Sequence, residues 1–266
     1  MEKLLDLMDM CGRRVLLTGA AGFLGRAMSD VLAEMGASLI LVDQAAEPLK
    51  QVAEELMRCW PVPVEYHVID LEQQPQRTRL VGMVRDSGLG LNVLINNAAF
   101  VGTSGLSGWT APFEGQSVET WRRALEVNLT APFDLCRGLA PLLKESGGAI
   151  INIGSIYGEF GPDWGLYEDT NMANPAGYGA SKAGLIQLTR WLATTLAPQV
   201  RVNSISPGGI ARGQPISFVE RYKARTPLGR MAREDDFRGA IAYLASDLSA
   251  YVTGQNLRVD GGWGVW

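Results

Sequence analysis

The chain is poor in metal ligands of the nitrogen and sulfur type. It contains one histidine, His67, and three widely separated cysteines, Cys11, Cys59 and Cys136. With so few clustered ligands we expect no metal site, and His67 is predicted to have a packing or surface role. An odd number of cysteines without Cys-x-x-Cys spacing also argues against a disulfide framework. The thiols are therefore predicted to be reduced, as in a cytoplasmic protein.

Charge blocks and long apolar runs are also missing. The 24 basic and 28 acidic residues give a net charge of −4, and they form no basic block that would suit nucleic acid or an anionic membrane. No stretch reaches the roughly 18 apolar residues that a membrane span needs. The N-terminal segment mixes acidic with apolar residues, unlike a secretory signal. We therefore expect no nucleic-acid or membrane partner, and a cytoplasmic location.

What the sequence does contain is a regular alternation of apolar runs and helical stretches over 266 residues, of which 47% are apolar. A chain of this length can bury one large core without a second domain. The alternation predicts an α/β fold in one domain, residues 1–266: a three-layer, doubly wound, mostly parallel sheet of about seven strands. Strands are predicted at residues 15–18, 38–42, 64–69, 91–95, 149–153, 200–205 and 256–259, and helices at 26–35, 46–58, 75–86, 118–144, 178–197 and 234–246.

The first strand runs into a glycine-rich turn that contains Gly19, Gly22 and Gly25, and a helix follows. The second strand ends on Asp43, which lies 24 residues after the first glycine. Glycines allow the backbone to approach a pyrophosphate, the helix N-terminus supplies amide donors, and the acid can bind a ribose diol. A tight turn with glycines for packing is the simpler alternative, but the strand, turn, helix, strand and acid together favour a dinucleotide site.

Polar or small residues follow each later strand as well. In parallel sheets, ligands bind outside the carboxyl ends of the strands, so these residues are expected to converge on one edge. Residues at about 100–116, 156–177 and 209–232 are predicted to be loops beside that edge, with 211–230 irregular. The strand-end residues are Asp70, Asn96 to Ala99, Ser155, and Pro207 with Gly208.

Tyr178 and Lys182 are four residues apart on a predicted helix. This spacing puts both side chains on the same face. An ammonium beside a phenol favours the phenolate, so the pair could supply an acid–base group near working pH. The spacing alone is common, and it gains weight only because the other signals fall at the same sheet edge.

These motifs together resemble the short-chain dehydrogenase/reductase family, over nearly the full length of the chain. The matching residues are Thr18-Gly19-x-x-Gly22-x-x-Gly25, Asn96-Asn97-Ala98-Ala99, Asn128, Ser155, Tyr178-x-x-x-Lys182, Pro207-Gly208 and Asp260-Gly261-Gly262. The resemblance implies an NAD(P)-binding Rossmann domain, hydride exchange with a secondary alcohol or ketone, and a homodimer or homotetramer.

The resemblance also implies roles for single residues. Tyr178 would be the general acid–base, and Lys182 would lower its pKa and hold the nicotinamide ribose. Ser155 would hydrogen-bond the substrate oxygen, and Asn128 would anchor a water molecule that connects Lys182 to solvent. The cofactor would be bound by Gly19, Gly22, Phe23, Leu24, Gly25, Asp43, Asp70, Leu71, Asn97, Ala98, Ala99, Tyr178, Lys182, Pro207, Gly208 and Ile210.

Asp43 indicates which cofactor is used. Its carboxylate can accept hydrogen bonds from both ribose hydroxyls of NAD and would repel the 2′-phosphate of NADP unless a cation offset it. The next residue is Gln44, not arginine. Arg26 is another candidate counter-charge, but it is expected to face elsewhere from the start of the first helix. NAD is therefore the predicted cofactor.

Two features depart from the family pattern. Two residues separate Gly19 from Gly22, where most short members have three, and this spacing resembles the extended nucleotide-sugar epimerases and dehydratases. Because the extended branch has a larger C-terminal region and Asn96-Asn97-Ala98-Ala99 is typical of the short type, the chain is predicted to be a short, single-domain member with an unusual turn. In addition, Ser155 and Tyr178 are 23 residues apart, about ten more than is usual. The extra residues fall in segment 158–176, hereafter the insertion, which carries acidic and aromatic residues. It is predicted either to bind substrate or to contact a neighbouring subunit.

The local sequence around the insertion resembles bacterial members found with flagellin modification and nonulosonic-acid glycan synthesis. That resemblance implies a sugar or other polyhydroxylated substrate in carbohydrate metabolism. Two alternatives remain open: an epimerase or dehydratase of nucleotide sugars with tightly held NAD, and a non-catalytic dinucleotide-sensing protein.

Overall fold

The computed structural model describes residues 3–101 and 106–266. It shows seven strands in one sheet with the order β3-β2-β1-β4-β5-β6-β7, and every neighbouring pair is parallel. Helices cover both faces, so the predicted doubly wound Rossmann architecture is confirmed. The strands are β1 Arg14–Thr18, β2 Ser38–Asp43, β3 Val64–Val68, β4 Val93–Asn96, β5 Ala149–Ile153, β6 Arg201–Pro207 and β7 Asn256–Val259.

Nine α-helices occur in the described residues. They are α1 Leu4–Met8, α2 Phe23–Glu34, α3 Ala46–Cys59, α4 Gln74–Asp86, α5 Val118–Leu125, α6 Ala131–Ser146, α7 Ala176–Leu196, α8 Ile216–Arg225 and α9 Arg238–Ala245. The predicted long helix at 118–144 is thus α5 and α6, joined by a π-helical turn at Glu126–Thr130. Ser117 caps α5 by accepting a hydrogen bond from the Thr120 amide at 3.1 Å.

Helix α8 corrects the prediction that residues 211–230 are irregular. Its sequence is largely polar, but Phe218 and Tyr222 are four residues apart and buried on one face. This i, i+4 apolar pair was the available signal for the helix. Both rings pack into a cluster with Ile156, Leu166, Met231 and Trp263. The cluster joins the insertion to α8 and the C-terminal segment.

The central strands of the sheet are buried on both faces. All five residues of β1 are buried; Val15 and Leu17 belong to one core cluster, and Leu16 to the cluster on the opposite side. A strand between two helical layers is buried on both faces, which explains the apolar run Val15-Leu16-Leu17 in the centre of β1. In the described part of the chain, no helix combines the length and apolarity that crossing a bilayer would require.

Candidate active site

A cavity of about 780 Å³ lies at the carboxyl ends of the strands. The strand order reverses between β1 and β4, and ligands bind at such a reversal in open α/β sheets. The cavity is lined by Ser155 and by every residue predicted to contact a cofactor: Gly19, Gly22, Phe23, Leu24, Gly25, Asp43, Asp70, Leu71, Asn97, Ala98, Ala99, Tyr178, Lys182, Pro207, Gly208 and Ile210. The structure therefore brings together the residues that the sequence separates.

The glycine turn has the shape that a pyrophosphate requires. Gly19 has a φ of 67° and a Cβ there would lie 2.8 Å from the Ala98 Cα, so the position demands glycine. A Cβ on Gly25 would collide with the turn itself. Helix α2 begins directly after Gly22 and has no side-chain cap, so its first amide groups remain available to an anion at the cavity wall. This cradle fits a dinucleotide.

Asp43 is held as a fixed acceptor beside that turn. Its two carboxylate oxygens accept hydrogen bonds from the backbone amides of Ala21 and Ala45, each at 3.0 Å. The Arg26 Nε donates to the Ala21 carbonyl at 3.1 Å, so this side chain lies against the turn that binds Asp43. Arg26 itself does not line the cavity, which agrees with its expected orientation away from the cofactor.

The far end of the cavity, beyond β2 and β3, is closed by a second acidic group. Asp70 accepts a hydrogen bond from the Glu72 amide at 2.9 Å. Arg123 pairs with the Glu72 carboxylate at 2.8 Å and lies 4.9 Å from the centre of the Phe100 ring. The ion pair fixes Arg123 at the edge of the cavity, and its charge is already compensated there.

Tyr178, Lys182 and Ser155 meet on the other side of the cavity, beyond β5. Helix α7 carries the first two, and Ser155 follows the last residue of β5. The Lys182 Nζ donates to the Ile153 carbonyl at 2.7 Å and lies 5.9 Å from the centre of the Tyr178 ring. Ser155 accepts a hydrogen bond from the Tyr157 amide at 3.1 Å, which orients its hydroxyl at the cavity wall.

The pKa of Tyr178 differs from the sequence-based expectation. Enclosure of the phenol by protein raises its pKa, and a hydrogen bond from Ser155 and the charge of Arg212 only partly oppose this. Burial also lowers the pKa of the neighbouring Lys182 ammonium to about 8. A neutral phenol is thus favoured before ligands bind.

The buried Lys182 leads to a test by pH. Its folded pKa of about 8 lies below the ordinary 10.5, so the cost of burying the charge is fully present below pH 8 and fades as pH rises toward 10.5. Relative to a Lys182→Met variant, the wild-type free energy of unfolding should therefore increase by about 2 kcal/mol between about pH 7 and pH 9.5. Urea denaturation of both proteins at the two pH values measures this.

A Lys144→Met variant is the matched control, because Lys144 is an exposed lysine near the end of α6. Its difference from wild type should not change with pH over the same range. If the difference in unfolding free energy between wild type and Lys182→Met were also independent of pH, it would contradict the burial of a charged Lys182.

Asn128 is the one predicted catalytic residue that does not line the cavity. It is fully buried in the π-helical turn. Its Oδ1 accepts from the Phe100 amide at 2.6 Å, and its Nδ2 donates to the Phe100 carbonyl at 3.2 Å and to the Ser181 hydroxyl at 3.0 Å. The extra residue of the turn aims this amide between the segment after β4 and α7. Asn128 therefore positions the residue next to Lys182.

The acidic side chains of the insertion do not face the cavity. Glu159 accepts from Asn256 at 2.6 Å, and Asp163 pairs with Arg225 at 2.6 Å. Asp169 pairs with Arg221 on α8 at 3.3 Å. In contrast, Tyr167 lines the cavity, and its hydroxyl lies 2.6 Å from that of Tyr157. The insertion thus contributes aromatic surface but not the acidic acceptors expected from its sequence.

Several cavity residues were not identified from sequence. Phe218 and Tyr222 were missed together with α8, and Arg212 was missed because it lies just beyond the Pro207–Ile210 motif. Of the predicted loops, residues 102–105 lie outside the described residues. The additional lining residues on the side of Tyr178 include Tyr157, Tyr167, Met172, Gly209, Arg212, Gln214, Phe218, Tyr222 and Met231. Among described residues, no cluster of histidine, cysteine or carboxylate side chains could hold a metal ion.

Comparison with known proteins places this geometry in a family. Residues 19–264 match the family model described as enoyl-(acyl carrier protein) reductase. The cis-4-hydroxycyclohexanecarboxylate dehydrogenase of Sinomonas cyclohexanicum is 34% identical over 258 residues, which cover 94% of this chain and 96% of that enzyme. The chain spans 44% of one longer curated relative.

Solved structures of short-chain dehydrogenases also match this chain over nearly its full length. A short-chain dehydrogenase from Leptospira borgpetersenii with bound NAD⁺ is 32% identical, with a TM-score of 0.83, and the match covers 99% of this chain and 96% of that one. A gluconate 5-dehydrogenase from Burkholderia cenocepacia in complex with NADP and tartrate is 27% identical, with a TM-score of 0.86, over 99% and 100% of the two chains. The chain belongs to the short-chain dehydrogenase/reductase family, whose members are oxidoreductases that bind nicotinamide dinucleotides.

Proposed function

We propose that the protein is an NAD(H)-dependent oxidoreductase that interconverts a secondary alcohol and a ketone in a polyhydroxylated small molecule. The observation that carries this proposal is the convergence of Tyr178, Ser155 and Lys182 in the cavity that also holds the glycine turn and Asp43. An acid–base phenol, a hydroxyl for the reacting oxygen and a dinucleotide cradle together suit hydride transfer at a carbinol carbon.

In the oxidative direction, Tyr178 would remove the hydroxyl proton while Ser155 hydrogen-bonds the same oxygen. Lys182 would bind the ribose next to the nicotinamide and favour the phenolate. A bound oxidised nicotinamide supplies the hydride acceptor and a positive charge. That charge, with Arg212, would offset the burial that raises the pKa of Tyr178. In reduction, Tyr178 would return the proton to the oxygen.

The choice of NAD rests on Asp43. Its carboxylate is fixed by two backbone amides, so it cannot swing away from a 2′-phosphate without losing both hydrogen bonds. Relatives of this family hold either cofactor: NAD⁺ in the Leptospira protein and NADP in the Burkholderia enzyme. Arg26 lies near the turn and is a candidate to offset the Asp43 charge, but its Nε donates to the Ala21 carbonyl.

The substrate class rests on the cavity and on the relatives. Tyr157, Tyr167 and Gln214 supply polar atoms around Tyr178, which suits a molecule with several hydroxyl groups. The relatives act, by their names, on gluconate and on a hydroxycyclohexanecarboxylate. The sequence resemblance of the insertion to enzymes of bacterial glycan modification also favours a sugar derivative.

A cytoplasmic homodimer or homotetramer is part of the proposal. Helices α5, α6 and α7 carry partly exposed aromatic side chains, Trp121, Phe133 and Trp191, at 38%, 44% and 55% exposure. Burial of such rings is a common basis for symmetric assembly. Sedimentation of the purified protein would measure its oligomeric state.

The function is tested by NADH formation with sugars, sugar acids, sugar phosphates and nucleotide sugars. We expect one class to yield NADH with a rate proportional to enzyme, and ketone product in equal amount. A Ser155→Ala variant should lower kcat about a hundredfold on the same substrate. Tightly retained NAD with conversion of a nucleotide sugar and no net NADH would instead show an epimerase or dehydratase. Dinucleotide binding without turnover of any class would favour a sensing protein.

A further inference from the structure

Charge is distributed unevenly along the cavity. The described carboxylates that line it are Asp43, Asp70 and Glu72, which follow β2 and β3. The catalytic side, which follows β5 and β6, is lined by two cations, Lys182 and Arg212, and by no described carboxylate. The topology therefore separates an acidic end, where a ribose would bind, from a cationic end, where the substrate would bind.

The insertion leaves this uneven distribution of charge unchanged. Its acidic side chains could have made the catalytic side negative, but Asp163 and Asp169 are paired with Arg225 and Arg221 outside the cavity. Glu159 is bound to Asn256. Of the aromatic residues of the insertion, Tyr167 lines the cavity, and no described carboxylate of the insertion lines it. The ion-pair partner of Arg212 is Glu234, which binds its Nε and also does not line the cavity.

Arg212 is held in place with most of its guanidinium unused. Its amide donates to the Gln214 Oε1 at 2.7 Å, and Gln214 also donates to the Ile210 carbonyl at 2.7 Å. The guanidinium lies 4.9 Å from the centre of the Phe23 ring, and its Nε donates to Glu234 at 3.0 Å. Among described residues, its two terminal nitrogens have no hydrogen-bond partner, and the side chain is 38% exposed.

We propose that Arg212 binds an anionic group of the substrate, and that the substrate is therefore a hydroxy acid whose carboxylate lies beside Arg212 when its carbinol reaches Tyr178. This inference rests on the proposed function and narrows its substrate class. A guanidinium whose terminal nitrogens are free can bind a carboxylate through two parallel hydrogen bonds. Lys182 cannot play this part because it is buried and bound to the Ile153 carbonyl.

The same chemistry could bind another anion, the pyrophosphate of the cofactor, since Phe23 opens α2 next to the glycine turn. Experiment can distinguish a carboxylate of the substrate from the pyrophosphate of the cofactor. A pyrophosphate contact would strengthen NADH binding for every substrate, whereas a carboxylate contact would act only on acidic ones. The unpaired amides at the start of α2 already provide donors for the pyrophosphate, and for this reason we assign Arg212 to the substrate.

The test compares matched pairs of secondary alcohols that differ in charge, D-gluconate with D-gluconamide and 4-hydroxycyclohexanecarboxylate with its carboxamide. For a pair that is turned over, kcat/KM should be at least about tenfold higher for the acid. An Arg212→Gln variant should bring the ratio of kcat/KM for acid over amide close to one through the KM of the acid, with Kd for NADH unchanged. Any fall in kcat from the lost Arg212 charge near Tyr178 should be equal for acid and amide and leave this ratio untouched. Arg212→Lys should restore part of the advantage of the acid. Arg85→Gln, an exposed arginine of α4, is the control for the same loss of charge.

Binding provides a readout that does not need turnover. Calorimetric titration of the NADH complex with cyclohexanecarboxylate and cyclohexanecarboxamide should show preference for the acid, lost in Arg212→Gln. This preference would support the inference even if no alcohol in the panel were oxidised, a result that would count against the proposed function alone. Equal affinity for acid and amide, or an Arg212→Gln variant that weakens NADH instead, would overturn the assignment to the substrate.

Discussion

Replacing Tyr178 with phenylalanine is expected to lower kcat at least about a thousandfold while the Kd for NADH changes by less than about twofold. The substitution removes only the hydroxyl, and the ring keeps its place in the cavity wall on α7. The proton of the carbinol then has no acceptor. Steady-state kinetics and a fluorescence titration with NADH measure the two quantities separately.

Tyr167→Phe is the matched control for this loss. Tyr167 lines the same cavity, but its hydroxyl is hydrogen-bonded to that of Tyr157 at 2.6 Å. Loss of the Tyr167 hydroxyl should change KM more than kcat, because this hydroxyl lines the substrate site but takes no part in the proton transfer. If Tyr178→Phe kept more than about a tenth of wild-type kcat, Tyr178 could not be the acid–base group.

Replacing Asp43 with asparagine is expected to shift the ratio of kcat/KM for NAD over NADP by about a hundredfold toward NADP. The loss of charge-assisted hydrogen bonds to the ribose diol should weaken NAD about tenfold. The loss of repulsion should strengthen NADP by a similar factor, because charges about 4 Å apart near a protein surface interact by several kcal/mol. Asparagine retains one oxygen to accept from the Ala21 or Ala45 amide.

Asp70→Asn is the control for the cofactor ratio. Asp70 lines the same cavity and accepts a backbone hydrogen bond from Glu72 at 2.9 Å, but it follows β3 and not β2. NAD and NADP differ only at the 2′-hydroxyl of the ribose that Asp43 is predicted to bind, so the ratio should stay constant in Asp70→Asn. A wild-type enzyme that prefers NADP, with Arg26→Gln abolishing this preference, would show that Arg26 offsets the Asp43 charge.

The motifs with short sequence spacing were predicted well because local chemistry determines them. Gly19 must adopt a positive φ, and Gly25 must leave room for the turn, so glycine appears wherever a strand feeds a helix in this way. The spacing of Tyr178 and Lys182 is fixed by one turn of α7. The buried runs of β1 and its neighbours follow from a sheet covered on both faces.

Properties that depend on distant partners were not predicted. The sequence shows that Lys182 is near Tyr178, but not that both are enclosed, and enclosure raises the phenol pKa and lowers the ammonium pKa to about 8. Arg26 turned back onto the Ala21 carbonyl. The sequence of α8 is largely polar and did not predict a helix. The helix is stabilised by the burial of Phe218 and Tyr222 against the insertion and Trp263.

By itself, the sequence determined the fold class, the glycine turn and the strand-end residues that line the cavity, since these follow from periodicity, glycine geometry and the common edge of a parallel sheet. The tertiary structure decided the charge of the substrate end. Asp163 and Arg225 are 62 residues apart, and Glu159 and Asn256 are 97 apart. Only folding brings such pairs together, and their pairing keeps these carboxylates out of the cavity, where the terminal nitrogens of Arg212 have no hydrogen-bond partner among described residues.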